Sequence, residues 1–254
     1  MVMNIKGHNG LVPCRMCTIS GLRIPSSTNK THYVPLDRSR HSDVRKDSTA
    51  VKAYKPLELP FRTHTEFLQQ AHKVQFAATT TESNNLAKQF GIKGTCLLSL
   101  LSSLRFPSSF PYDFMHLIFE NVVKNLVLLW TGKYKDLDAG KGNYHLSKNV
   151  WEAIGAATAN LGSTIPSAFG ARPPNIADDK QSGTADTWSF WMLYLGPVLL
   201  SQKFENAVYF THFIKLVKLI HICLQFSISR QDLTQLRNGF AEWVQEYEKS
   251  VLLL

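Results

Sequence analysis

The stretch Pro111-Tyr-Asp-Phe-Met-His-Leu-Ile-Phe-Glu-Asn-Val-Val-Lys-Asn-Leu-Val-Leu-Leu-Trp130 reads as an amphipathic helix over 113–130. Met115, Ile118, Phe119, Val122, Leu126 and Leu129 recur every three or four positions. On a 3.6-residue helix that spacing gathers them on one face and marks the face for burial. Pro111 suits the approach to a helix start, and Gly132 is a stop signal. Working outward, the same period appears on both sides. Upstream, 64–78 and 82–90 read as helices, and Gly91 and Gly94 bracket a break. Downstream, Ser147 caps a helix running to about Ala159, helices resume near Thr184, and 207–226 and 231–249 follow. In the last of these Leu233, Leu236, Phe240, Trp243, Val244 and Tyr247 share a face, and Ser229-Arg-Gln-Asp232 has the form of a capping box. The Pro- and Gly-rich stretch 164–177 reads as a loop, and no internal repeat is visible. The expected fold class is mainly α.

The N-terminal segment differs in composition. Residues 1–60 are rich in Gly, Ser, Pro, Lys and Arg, with one short strand-like run at 31–36 and a charged linker or flexible loop at 38–55. The expected organisation is therefore a small irregular or β segment, 1–60, followed by an all-helical domain, 61–254. Charge follows the same division. The chain carries 28 Lys and Arg against 19 Asp and Glu, a net charge of +9. Residues 1–64 hold 11 basic and 4 acidic side chains, so +7 lies there, and the remainder holds 17 and 15. A basic end on a near-neutral body is either a polyanion contact or a solvated basic tail. Candidate phosphate contacts, chosen because they lie in that segment, are Lys6, Arg15, Arg23, Lys30, Arg38 and Arg40.

Several classes are disfavoured. Four cysteines are too few for a disulfide scaffold, and residues 1–13 lack the apolar run of a signal peptide. The apolar run 188–200 is short and broken at Gly196-Pro197. In 207–226 the polar residues Thr211, Lys215, Lys218, His221 and Gln225 form a stripe, so both runs read as core helices rather than membrane spans. No Gly-rich phosphate loop and no Gly-x-Ser-x-Gly elbow occurs.

Two short motifs carry possible chemistry. Cys14-Arg-Met-Cys17 has the spacing at which two thiolates chelate one tetrahedral zinc, with His8, His32 and His116 as candidate further ligands. The alternative is a pair of unligated cysteines in a loop. In Asp113-Phe-Met-His116 the carboxylate either caps the helix start or joins His116, one turn later, in binding a metal or phosphate. His212 and His221 read as solvent-facing or hydrogen-bonded residues. Asp178, Asp179 and Asp186 read as an acidic cluster at a helix start.

Taken together, these pieces resemble the CACTA-type (En/Spm) DNA transposase family. The resemblance rests on Gly7-His-Asn-Gly10, Cys14-x-x-Cys17, Lys30-Thr-His-Tyr-Val-Pro-Leu36 and Gly91-Ile-Lys-Gly94. Its most specific part is Phe106-Pro-Ser-Ser-Phe-Pro-Tyr-Asp-Phe-Met-His-Leu-Ile-Phe-Glu-Asn121. Thr164-Ile-Pro-Ser167, Arg172-Pro-Pro-Asn-Ile-Ala177 and Ala185-Asp-Thr-Trp-Ser-Phe-Trp191 add to it. It covers residues 7–249. It implies an RNase H-like nuclease whose three carboxylates hold two divalent metals such as magnesium. It also implies that this chain corresponds to the helical insertion between the second and third carboxylates, without catalytic residues of its own. The motifs carry over onto Cys14, Cys17, Asp113 and His116. The implied site is a structural zinc on Cys14 and Cys17, completed by His116 and either His32 or Asp113, in a zinc-knuckle-like segment. DNA at transposon ends is the implied partner, the nucleus the implied location, and no membrane is involved. The competing expectations are a zinc-stapled helical adaptor for protein partners and a transposon relic without function.

Overall fold

A computed structural model describes residues 3–7, 9–23, 32–134, 142–166, 172–178 and 183–250. The fold is mainly helical, and β structure among the described residues is limited to isolated bridges. The chain forms two compact units that divide at Pro111. The compositional step at residue 60 and this boundary are different features, because the basic segment shares a core with the helices that follow it.

In the first unit, α1 (Ser42–Lys46), α2 (His64–Gln75) and α3 (Thr80–Phe90) are followed by a single 3-10 turn, Leu97–Leu100. Thr63 caps α2 in a reciprocal box with Glu66, and Thr79 caps α3. Phe67 and Ala71 of α2 pack with Met3, Ile5, Ile92, Cys96 and Phe106 in one apolar cluster. Gly91 ends α3 with φ 71°, and a Cβ there would lie 2.0 Å from the Val12 carbonyl oxygen. The glycine thus permits both the left-handed turn and the close approach of the N-terminal segment. The stretch 38–55 is built in rather than loose. It contains α1 and buries Arg38, His41 and Val44, and an Asp37–Ala53 bridge closes it. The strand-like run 31–36 contributes one antiparallel bridge, Leu22 to Tyr33.

The second unit begins with a π-helical segment, Met115–Val123, that runs directly into α4 (Lys124–Trp130). α5 is Lys148–Leu161, capped by Ser147. α6 (Ala185–Phe190), a second π-helical segment (Trp191–Leu195) and α7 (Gly196–Leu199) form one continuous helical run. α8 (Ala207–Cys223) and α9 (Arg230–Ser250) complete the unit. The π turn changes the buried register expected for 113–130. Ile118 and Phe119 are buried, but the next buried position is Val123, with Val122 half-buried and Met115 exposed. An i→i+5 turn inserts one extra residue between successive inward positions, which a 3.6-residue period does not anticipate. Gly196-Pro197 does not interrupt its helix either. The π turn just upstream loosens the ladder where the proline ring and its missing N–H would otherwise clash.

Trp130, Trp151, Trp188, Trp191 and Phe213 lie in the core of this unit, largely in edge-to-face pairs. Among the described residues the buried indole N–H groups of Trp188 and Trp191 meet no hydrogen-bond acceptor. On α8 Thr211, Lys215, Lys218 and His221 are exposed, as is Gln225 just beyond its end, and no described helix is long and apolar enough to cross a membrane. Ser229 and Asp232 cap α9 reciprocally, as read from the sequence; of the expected apolar face, Leu233 is exposed. α8 and α9 are clasped by His212 and Trp243. Nε2 of His212 donates to the Trp243 carbonyl at 2.9 Å, and the indole N–H donates to the His212 carbonyl at 3.0 Å. The two rings stack at 4.5 Å. Lys215 pairs with Glu246 alongside.

Two predictions follow from these contacts. Gly91→Ala is expected to destabilise the protein by about 1–3 kcal/mol through left-handed strain and the contact with Val12, read as a lower urea midpoint. Burial holds the His212 imidazole below its ordinary value of 6.5, with Lys215 acting in the same direction and Glu246 and the Trp243 carbonyl against it. The unfolded chain then takes up that proton first. The clasp's stabilisation is complete above about pH 6.5 and is lost as pH falls toward the folded value. Urea midpoints at pH 8 and pH 5.5 should differ less in His212→Phe than in the wild type. An equal drop in both would remove His212 as a cause.

Candidate metal and nucleic-acid site

Cys14 and Cys17 lie where the N-terminal segment runs antiparallel to the entry of α2. Cys17 bridges to Phe61, the Thr18 amide donates to the Pro60 carbonyl at 2.9 Å, and the Arg62 amide donates to the Met16 carbonyl at 2.8 Å. The turn between the cysteines closes on sulfur: the amides of Met16 and Cys17 donate to Cys14 Sγ at 3.3 and 3.2 Å. The Cys17 thiol is buried and hydrogen-bonded to Cys14. That bond, followed by burial, pushes its proton affinity well above the usual thiol range. Both sulfurs therefore face one point. Two sulfur donors at one locus, one of them held by backbone amides, fit half of a tetrahedral site for a soft divalent cation.

Beneath the turn lies a residue that the sequence reading did not single out. Arg62 is 5% exposed. Its guanidinium donates to the Cys14 carbonyl at 3.2 Å, the Gln70 side-chain oxygen at 3.4 Å and the Phe90 carbonyl at 2.8 Å. It thus joins the cysteine turn, α2 and the end of α3. Burial lowers its affinity for the proton, and the two cysteines oppose that shift. Nothing local in the sequence marks Arg62, since its acceptors lie 48, 8 and 28 residues away.

His32 is half-buried. Nδ1 donates to the Asn9 carbonyl at 2.9 Å, and Nε2 accepts from Arg23 at 3.3 Å. The Asn9 bond orients the ring, while the Arg23 bond occupies the Nε2 lone pair that a metal would need. His8 and Lys30 lie outside the described residues.

In the second unit, Asp113 performs the capping role. Its Oδ1 accepts from the His116 amide at 3.1 Å, while its Oδ2 lies 2.8 Å from His116 Nδ1. His116 Nε2 is 3.4 Å from Glu120. Asp113 first, then Glu120, raises the imidazole's affinity for its proton, and the His116 amide and ring lower that of Asp113. The exposed ring therefore sits between two carboxylates that favour its protonated form. Among the described residues, no group of three or more His, Cys, Asp or Glu side chains is gathered closely enough to hold a metal ion.

The candidate phosphate contacts divide. Arg23 and Arg40 are exposed, and Lys6 and Arg15 are half-buried. Arg38 leaves the set. It is 4% exposed, donates to the Ser20 carbonyl at 2.7 Å and lies 5.0 Å over the Tyr54 ring. A guanidinium committed to internal carbonyls and an aromatic face is not presented to a phosphate. His41 is likewise internal: its Nε2 donates to the Arg23 carbonyl and its Nδ1 accepts from the Asp43 amide.

Arg62→Met, which keeps bulk but removes three hydrogen bonds, is expected to lower stability by about 2–4 kcal/mol. Arg62→Lys should recover only part of that, because one ammonium does not reproduce the fork. A loss within experimental error for Arg62→Met in urea unfolding would contradict this role. No protein-family model, curated protein or solved structure matches this chain.

Proposed function

We propose that this chain is a DNA-binding and scaffolding part of a cut-and-paste transposase of the CACTA type. In this reading Cys14 and Cys17 supply two ligands of a structural zinc. The observation that carries the proposal is the cysteine turn: Cys14 Sγ already accepts two amide hydrogens and faces Cys17, within the segment that holds most of the excess positive charge. Bound, zinc would tie the basic segment in place as a Lewis-acidic cross-link. The further ligands that the resemblance implies, His116 with either His32 or Asp113, are not gathered with the two cysteines among the described residues. Lys6, Arg15, Arg23 and Arg40 are assigned to phosphate contacts, with Lys30 as a further candidate. No residue is assigned a catalytic role, and magnesium belongs only to the complete parent enzyme. A nuclear site of action goes with this reading.

One observation favours a second reading. Leu97, Leu100 and Leu101 are 82%, 79% and 50% exposed around a single 3-10 turn, a surface suited to a protein partner of a zinc-stapled adaptor.

Two measurements test these readings. Purified wild-type protein should carry one zinc per chain and Cys14→Ser none, with a lower melting temperature; equal zinc in both would end the metal assignment. Affinity for duplex DNA should fall with salt. Four phosphate contacts give a log–log slope of roughly −3.5. A flat dependence, or no DNA binding, would favour the adaptor.

A further inference from the structure

A cleft of ≈ 360 Å³ opens in the first unit beside the cysteine turn, between the N-terminal segment and helices α2 and α3. Its apolar lining includes Phe61, Phe90 and Val12, and its polar lining includes Gln70, Gln89 and Glu66. Phe61 is unusual in its placement. The ring is 60% exposed and stacks on no aromatic neighbour among the described residues, so it contributes little to the core. Its backbone is nonetheless pinned, by the bridge to Cys17 on one side and the Arg62–Met16 hydrogen bond on the other. A rigidly presented, solvent-facing aromatic ring is a stacking platform.

The polar groups are equally defined. Gln70 accepts from Arg62 through its side-chain oxygen, which leaves its amide N–H₂ as a donor. Gln89 is exposed and offers both a donor and an acceptor. The Glu66 carboxylate is held by the amide and hydroxyl of Thr63. Among the described residues no Lys or Arg side chain lines the cleft, and a carboxylate does, so a phosphate is disfavoured inside it. An uncharged planar heterocycle with donors and acceptors on its edge fits: Phe61 takes its face, and Gln70 and Gln89 take its edge. The carboxylate favours a ring bearing an exocyclic amine.

We propose that this cleft holds an unpaired nucleobase of a DNA strand, with adenine or cytosine preferred over thymine. The inference rests on the DNA-binding reading above and deepens it. It requires a frayed or single-stranded stretch, because a paired base presents neither its face nor its full edge.

The test uses the full chain and a single-stranded oligonucleotide carrying one 2-aminopurine, with a blunt duplex of the same length as a second probe. The wild type should bind the single strand and quench its fluorescence by stacking. Phe61→Ala should remove the quenching and weaken single-strand binding by roughly 5- to 100-fold, the range for one stacked base, while leaving duplex binding unchanged. Phe61→Leu should behave like the alanine variant, and Phe61→Tyr should restore the quenching. An oligo-dT strand should compete less well than oligo-dA. Salt-dependent DNA binding that is indifferent to Phe61 would overturn the cleft assignment and leave the DNA-binding reading standing. Absence of binding to either probe would overturn both. Free adenosine competing as strongly, per base, as the oligonucleotide would assign the cleft to a free nucleoside and overturn the strand proposal.

Discussion

The first unit depends on a buried cation without a carboxylate beside it. A guanidinium taken out of water is costly unless its donors are met, and Arg62 is met by two backbone carbonyls and one side-chain amide. Each acceptor belongs to a different part of the unit: the cysteine turn, the middle of α2 and the last residue of α3. The three parts are thereby fixed to one another by directional bonds rather than by apolar packing alone. The position of Cys14, the orientation of Gln70 and the wall formed by Phe90 all follow from that one side chain. Gly91 is the complementary constraint, since it lets the chain leave α3 closely enough for Val12 to lie against it.

The second unit is organised differently, by large rings and altered helical pitch. Each π segment adjoins a conventional helix whose inward residues join the tryptophan-rich core. Widening a helix by one residue per turn rotates every following side chain. Ile118 and Val123 thus occupy neighbouring inward positions, and Leu126, Val127, Leu129 and Trp130 continue the buried face. The widened turn before Pro197 lets the run from α6 to α7 pass the proline without a break. The clasp between His212 and Trp243 then supplies the polar specificity that aromatic stacking alone lacks.

How much of this was legible in the sequence depended on the range of the interaction. Caps at Ser147 and Ser229, the break at Gly91 and the wet stripe of α8 are decided within a few residues, and local pattern reading finds them. The π turns are not local in that sense. Their sequences keep an α-like spacing, and only packing of the surrounding rings selects the wider turn. The Cys-x-x-Cys turn was readable because both cysteines lie within one short stretch of chain. Arg62, Gln70 and Phe61 were not, because each acquires its role from residues distant in sequence. Asp113 and His116 were readable as a pair; Glu120, one turn further on, adds a second and weaker carboxylate neighbour to the His116 ring.

Charge counting in the basic segment has a physical limit that the structure makes concrete. Residues 1–64 carry 11 Lys and Arg, yet Arg38 and Arg62 are buried and work as internal donors. Long-range attraction of a polyanion depends on the total, since buried and exposed cations both contribute to the field. Counterion release depends only on those that reach phosphates. The two quantities separate here: the segment's total charge exceeds the charge it presents to solvent. For any polyanion meeting such a surface, the total charge sets the rate of encounter, while the exposed cations alone set the grip.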